Sequence, residues 1–237
     1  RRQTRFLQRS RGLGDVYKRQ RYRSHVALTV WPILVLFALE VARTWPAIGG
    51  APAFAAASPA SWGSLIACTI VTLVFLGAYA RGWSAIAEEA PSGAGPYRSE
   101  GCRRLQKLAG GVAWALVVAH LILQWFMSVR VGPVALSHYE LLRRFLSQPL
   151  VLAFYLFGLG ALGLFASQGL AASFRAWGFG ERRESSLGIE LGCTLLSAVM
   201  VLMAINLVSH FATGRAHWMG SSSPGAEPAN DADGIPQ

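Results

Sequence analysis

Five apolar runs, each close to the length of a bilayer-spanning helix, leave this chain few folds to choose from. They are Val26 to Ala42, about Trp62 to Ala87, Leu108 to Val129, Pro149 to Phe174 and about Leu187 to Phe211. A helix needs roughly 20 predominantly apolar residues to cross about 30 Å of hydrocarbon. In that medium every backbone N–H and C=O must be satisfied inside the spanning structure, so only helices and closed barrels cross. No segment alternates apolar and polar residues as a barrel strand does. The expected fold is an all-α membrane protein, a bundle of five transmembrane helices in one domain over residues 21–214. Composition agrees, with 53% of the 237 residues hydrophobic and only 14% charged.

Between the runs, Pro46 to Ser61 and Pro91 to Pro96 read as loops from their Ala, Pro, Ser and Gly content. Residues 215–237 read as a disordered polar tail. Pro149 suits a helix start, where its missing N–H is no loss, whereas Pro32 lies within the first run and is expected to kink it.

The formal net charge of +10 dissolves on inspection. Residues 1–20 hold seven Arg and Lys against the single acid Asp15, which is +6 and leaves +4 for the rest. The stretch Gly12 to Gln20 reads as sequencing-adapter sequence, so residues 1–20 are set aside as a non-native leader. What remains argues for a membrane lipid environment and for no nucleic-acid partner. Arg21, Arg23, Arg81, Arg98, Arg103, Arg104, Lys107, Arg175, Arg182 and Arg183 fall on one side of the five runs. Arg43, Arg130, Arg143, Arg144 and Arg215 fall on the other, ten against five. The positive-inside rule then predicts a cytoplasmic N-terminus, and the expected location is the cell's inner membrane. Cys68, Cys102 and Cys193 are too scattered for a disulfide framework or a metal site.

Ionisable groups inside the runs are the candidates for function, because a charge at membrane depth is costly and tends to face the bundle interior. His120 is the clearest. It lies 15 residues past Leu105, and Glu40 lies 15 residues past His25. At 1.5 Å per residue both sit about 22 Å from the cytoplasmic edge and are expected to meet in the outer half of the bundle. The functional reading of that pair is a proton relay or a quinone contact. The alternatives are plain interhelical hydrogen bonding for His120, and for Glu40 a side chain reaching out to the interface beside Arg43. His25 and His210 sit at the ends of their runs, and His138 and His217 fall in connectors, where interfacial roles are expected. Trp31, Trp45, Trp62, Trp83, Trp125, Trp177 and Trp218 form an aromatic belt. No P-loop, zinc motif or nucleophile elbow is present, so no soluble active site is encoded.

Three stretches resemble the five-helix cytochrome b subunit that anchors succinate dehydrogenase and fumarate reductase to the membrane. Leu105-Gln106-Lys107-Leu108-Ala109-Gly110, with His120 fourteen residues after the Gln, resembles that family's Leu-Gln-Arg-x-Ser-Gly entry into span three and its haem-ligand His. Gly169-Leu170 through Trp177-Gly178 resembles the Asn-Gly-Leu…Trp-Gly pattern closing span four, with Gln168 in place of Asn. Arg23 to Pro32 resembles the start of span one. The resemblance implies an anchor that docks an iron–sulfur subunit, carries a flavoprotein subunit beyond it and exchanges electrons with quinone. It also implies four His ligands for two b haems. Here the span-one position is Glu40, the span-two position falls at Leu76 to Ala78 and the span-four position is Phe165. His120 alone is retained as a haem-binding candidate, and bis-imidazole ligation needs two nitrogens per iron. The competing expectation is a haem-free scaffold or small-solute carrier on the same fold.

Overall fold

A computed structural model of the chain describes residues 29–56, 62–87, 100–131, 135–179 and 183–214. All of them are helical apart from short turns. Helix α1 covers residues 29–44 and runs into a 3-10 turn, Trp45–Gly49. It is followed by α2 (Ala51–Ala56), α3 (Trp62–Ala87), α4 (Glu100–Val131), α5 (Ala135–Leu146), α6 (Pro149–Ala176) and α7 (Arg183–Thr213). Five stretches are long and apolar enough to cross a bilayer: Thr29–Gly49, Trp62–Arg81, Arg104–Arg130, Pro149–Ala176 and Ser186–Thr213. This is the fold of a multi-pass membrane protein. The first expected run begins at Val26, and its first three residues lie outside the described ones, as do His25, His217, the Pro91 to Pro96 connector, the leader and the tail.

Helix α6 is the hub, packing against α4 and α7 and, through Gly169, against α1. Three glycines make that possible, each turned to a different neighbour. A Cβ on Gly158 would stand 2.9 Å from Leu116 of α4, one on Gly163 would meet Val201 of α7, and one on Gly169 would meet Val30 of α1. Small residues let membrane helices approach closely, and the packing so gained replaces the hydrophobic drive that lipid cannot supply. The outward faces carry Ile66, Ile70, Leu73, Leu164, Leu191 and Leu195, all exposed. In water such a surface would aggregate; against acyl chains it is the natural exterior.

Two connectors are more ordered than their composition indicates. Within Pro46 to Ser61, residues up to Ala56 form the 3-10 turn and α2, separated by Gly50 at φ 88°. His138, placed by sequence in a loop, is on α5. That helix has Tyr139, Leu142 and Leu146 on one side and exposed Glu140, Arg143 and Arg144 on the other. It is an amphipathic interfacial helix, too short and too charged to register as a span. Tyr139 packs on Phe54 of α2 (ring centroids 5.7 Å apart) and Phe211 of α7 (5.4 Å). Thus α2 and α5 roof the end of the bundle where α1, α4 and α7 finish.

Candidate functional site

Under that roof, between α1, α3, α4, α6 and α7, lies a cavity of about 150 Å³. Most of its lining is apolar. Its polar side is one connected chain of side chains contributed by three helices, α1, α4 and α6. Glu40 and Arg43 sit one turn apart on α1, and Arg43 Nη2 donates to Glu40 Oε2 at 3.0 Å. His120 and Gln124 sit one turn apart on α4, so both face α1. Gln124 Nε2 donates to Glu40 Oε1 at 2.7 Å and lies 2.6 Å from His120 Nε2. His120 Nδ1 is 3.0 Å from the Tyr155 hydroxyl of α6.

The structure therefore brings Glu40 and His120 together, with 3.4 Å between Oε2 and Nε2 and Gln124 as the bridge. The amide nitrogen of Gln124 has only hydrogens to offer. Facing it, His120 Nε2 accepts, the ring proton belongs on Nδ1, and Tyr155 accepts that proton's hydrogen bond. The hydroxyl hydrogen of Tyr155 is then free to point into the cavity. Arg43 does not leave for the interface with Glu40 beside it; both side chains are largely buried, at 15% and 16% exposure. Pairing and hydrogen bonding on this scale are what make a carboxylate and a guanidinium tolerable at membrane depth.

Sequence reasoning missed three members of this site. Gln124 carried a signal, since a position four residues after His120 shares its helix face. Tyr155 carried a weaker one, being six residues into the span that begins at Pro149. His138 was hidden by the loop reading; it is buried and lines the cavity from α5. His210, expected at the interface, is buried with Nε2 at 3.3 Å from the Tyr139 hydroxyl.

Burial, with the nearby Arg43 charge adding to it, holds the His138 imidazole below its ordinary value. The unfolded chain takes up this proton near its ordinary pKa of about 6.5, the folded chain only at lower pH. Between the two the unfolded state binds more protons, so stability falls as pH falls. The contribution is complete above about pH 6.5 and is lost as acidification reaches the folded value. Thermal unfolding in detergent should show a midpoint that declines from about pH 7.5 to about pH 5 more steeply for the native chain than for His138→Gln. Equal slopes would refute the burial argument.

The haem that the resemblance implies can be tested against these residues. Both nitrogens of His120 are engaged by neighbours, Nδ1 by Tyr155 and Nε2 by Gln124 and Glu40. The cavity, about 150 Å³, is far too small for a porphyrin. At the other end of the bundle Phe165 packs edge-on against Phe75 and Tyr79, with ring centroids 6.1 and 6.2 Å apart. A Cβ on Gly110 would already stand 2.6 Å from Tyr79 and 3.0 Å from Phe165. Aromatic side chains fill the space around the second expected ligand position. The residues present do not fit two b haems. A pyridine haemochrome assay on the purified chain should find less than one haem per chain, and two would overturn this assignment. Among the described residues no three His, Cys, Asp or Glu converge as a metal site.

Compared with known proteins, the chain matches no family model, no curated protein and no solved structure.

Proposed function

We propose that this chain is the membrane anchor subunit of a succinate:quinone oxidoreductase, seated in the cytoplasmic membrane with its N-terminus inside. It docks an iron–sulfur subunit, and through it a flavoprotein subunit, and gives membrane quinone a binding site. The flavin and iron–sulfur chemistry belongs to the partners, so the chain is not an enzyme alone. The observation that carries the reading is the cavity: ring-sized, apolar on most sides, and edged by the Tyr155–His120–Gln124–Glu40–Arg43 chain. An apolar pocket with a few convergent polar groups is the ordinary form of a site for a small lipophilic ligand. A quinone head has that character, with a flat ring and oxygens that accept hydrogen bonds as quinone and donate them as quinol.

The docking role is supported at the opposite end of the bundle. There Trp31 stacks on Trp177 with centroids 5.8 Å apart and planes 15° from parallel, tying the start of α1 to the turn after α6. Gly178 holds that turn at φ 87°, a conformation an L side chain resists. Arg175 donates to Glu190 of α7 at 2.7 Å, fixing the connector's other flank. Of the basic stretches Arg98 to Lys107 and Arg175 to Arg183, the described residues Arg104, Lys107 and Arg175 lie at this end, at the start of α4 and the end of α6.

A second reading, a haem-free scaffold or small-solute carrier, is favoured by one observation: the Phe75–Tyr79–Phe165 cluster closes the route a second haem would provide. The two readings separate on assembly. A tagged chain, co-expressed with an iron–sulfur and a flavoprotein gene from the same genomic neighbourhood, is expected to bring both out of mild detergent. Recovery of the chain alone would leave the scaffold or carrier.

A further inference from the structure

Of the helices that line the cavity, α5 alone is not a span. His138, Leu142 and Leu146 recur every fourth residue, so one stripe of α5 faces the cavity and roofs it. Twelve residues make a helix that is marginal by itself, so its position depends on what it packs against. Tyr139 supplies much of the hold. Its ring packs on Phe54 and Phe211, and its hydroxyl lies 3.3 Å from His210 Nε2. The far end of α5 is a hinge. Pro149 begins α6 without an N–H, and Gln148 before it is extended at ψ 125°, so the two helices are not one rod.

His138 is the one ionisable group on that stripe, 8% exposed, with Nδ1 unpartnered among the described residues. The charges around it do not welcome a proton. Helix α1 presents Arg43, a cation whose field opposes protonation, and Glu40, whose carboxylate is engaged by Arg43, Gln124 and His120. Into the same cavity α3 brings the Cys68 thiol, α4 brings His120 and α6 brings Tyr155. Helix α7 contributes His210, on the other side of Tyr139. The 3-10 turn and α2 contain no ionisable residue. On α5 itself Glu140, Arg143 and Arg144 are exposed, and side chains two apart on a helix do not face each other. No carboxylate on these elements is left uncommitted for an imidazolium at position 138.

We infer that α5 is a pH-sensitive lid: protonation of His138 beside Arg43 drives the helix off the bundle and opens the cavity to water. The inference holds whichever guest the cavity takes, so it stands apart from the quinone reading. A neutral imidazole suits the closed lid. The imidazolium is solvated once α5 swings out on the Ser147–Gln148 turn, and protonated His side chains switch interfaces in this way. Burial and Arg43 hold the closed-state imidazole below its ordinary value, so acid favours the open form. An exposed His titrates near about 6.5, so a pH of about 5 favours opening by at most about thirtyfold.

The test uses the full chain in mild detergent at about pH 7.5 and about pH 5, with two readouts. Hydrogen-exchange protection of residues 135–146, corrected for the intrinsic pH dependence of exchange, is expected to fall about tenfold or more in acid. Cys68 lines the cavity at 2% exposure, and its labelling by a dipyridyl disulfide is expected to accelerate similarly, relative to free cysteine at the same pH. Cys193, buried on α7 away from the cavity lining, should keep its rate. His138→Gln and His138→Leu are each expected to abolish both pH effects, and His210→Gln to retain them. The native chain decides the main point without any variant. Unchanged corrected protection in acid overturns the lid, and so does equal acceleration at Cys193, which would mean general unfolding. Faster exchange with Cys68 labelling unchanged overturns opening of the cavity. Persistence of the pH effects in the His138 variants, or their loss in His210→Gln, overturns His138 as the trigger.

Discussion

Glu40→Leu is expected to be the most damaging single change in the bundle, lowering stability by about 3–5 kcal/mol. The carboxylate accepts from Arg43 at 3.0 Å and from Gln124 at 2.7 Å, and lies 3.4 Å from His120. Leucine removes all three contacts and strands a guanidinium whose Nε already lacks a partner among the described residues. Breaking a buried ion pair by deleting one member leaves the other charge uncompensated, and that accounts for most of the loss. Glu40→Gln keeps an acceptor but not the charge, so an intermediate loss is expected. Repair should follow the same order of partners. Arg43→Leu in the Glu40→Leu background is expected to recover the larger part, because no stranded charge remains. His120→Leu should recover less, since His120 retains Tyr155 and Gln124. Unfolding in mixed micelles, analysed as two double-mutant cycles, measures both couplings. Strict additivity of the Glu40 and Arg43 changes would mean that the ion pair contributes nothing.

That ordering differs from what the sequence alone indicates, and the difference shows where sequence reasoning reaches its limit. Counting residues along two spans places Glu40 and His120 at one depth, because helical rise is constant. Counting says nothing about rotation around each helix axis, which decides whether Glu40 also keeps Arg43 or releases it to the interface. The span lengths were legible for a related reason: hydrocarbon thickness and backbone satisfaction constrain them directly. Rotation is usually read from an amphipathic face, but α6 is apolar on all sides, so its pattern does not mark which face meets α1, α4 or α7. Helix α5 failed for the opposite reason. Its face is clear, with Tyr139, Leu142 and Leu146 at helical spacing, but twelve residues with a Glu and two Arg fall below any span criterion. His138 was lost with it.

The resemblance motifs gain physical content where they meet these blind spots. Gly178 occupies a positive-φ turn, Trp177 stacks on Trp31, and Gly169 lets α1 lie against α6. Gln106, the Gln of the span-three motif, is buried and donates to the Phe165 carbonyl at 3.0 Å, joining α4 to α6. Gly169, Trp177, Gly178 and Gln106 therefore have structural roles independent of haem.

Gly169 yields the second large effect. A Cβ there would collide with Val30 Cγ2 and stand 3.1 Å from Gln106 Nε2. Val30 is fully buried and β-branched, so its side chain has almost no alternative rotamer within a helix. Gln106 is held by its bond to the Phe165 carbonyl. Neither neighbour can yield, and Gly169→Val is expected to cost about 1–3 kcal/mol through overpacking, with Gly169→Ala at the lower end. Gly160 on the same helix is the control, because a Cβ there meets nothing within 4 Å. Gly160→Ala should stay within about 0.5 kcal/mol of the native chain. If the clash is the cause, Val30→Ala introduced beside Gly169→Ala should recover most of the loss by vacating the space the new methyl needs. The displacement would also travel along α1. Val30 and Glu40 share that helix, so forcing its first turns away from α6 shifts Glu40 against His120 and Gln124 nearly three turns further on. On the proposed quinone reading, Gly169→Val is therefore expected to weaken quinone binding although it touches no cavity residue, and the Val30→Ala partner should restore it together with stability. Loss of stability with unchanged binding would show that the two ends of α1 are mechanically independent.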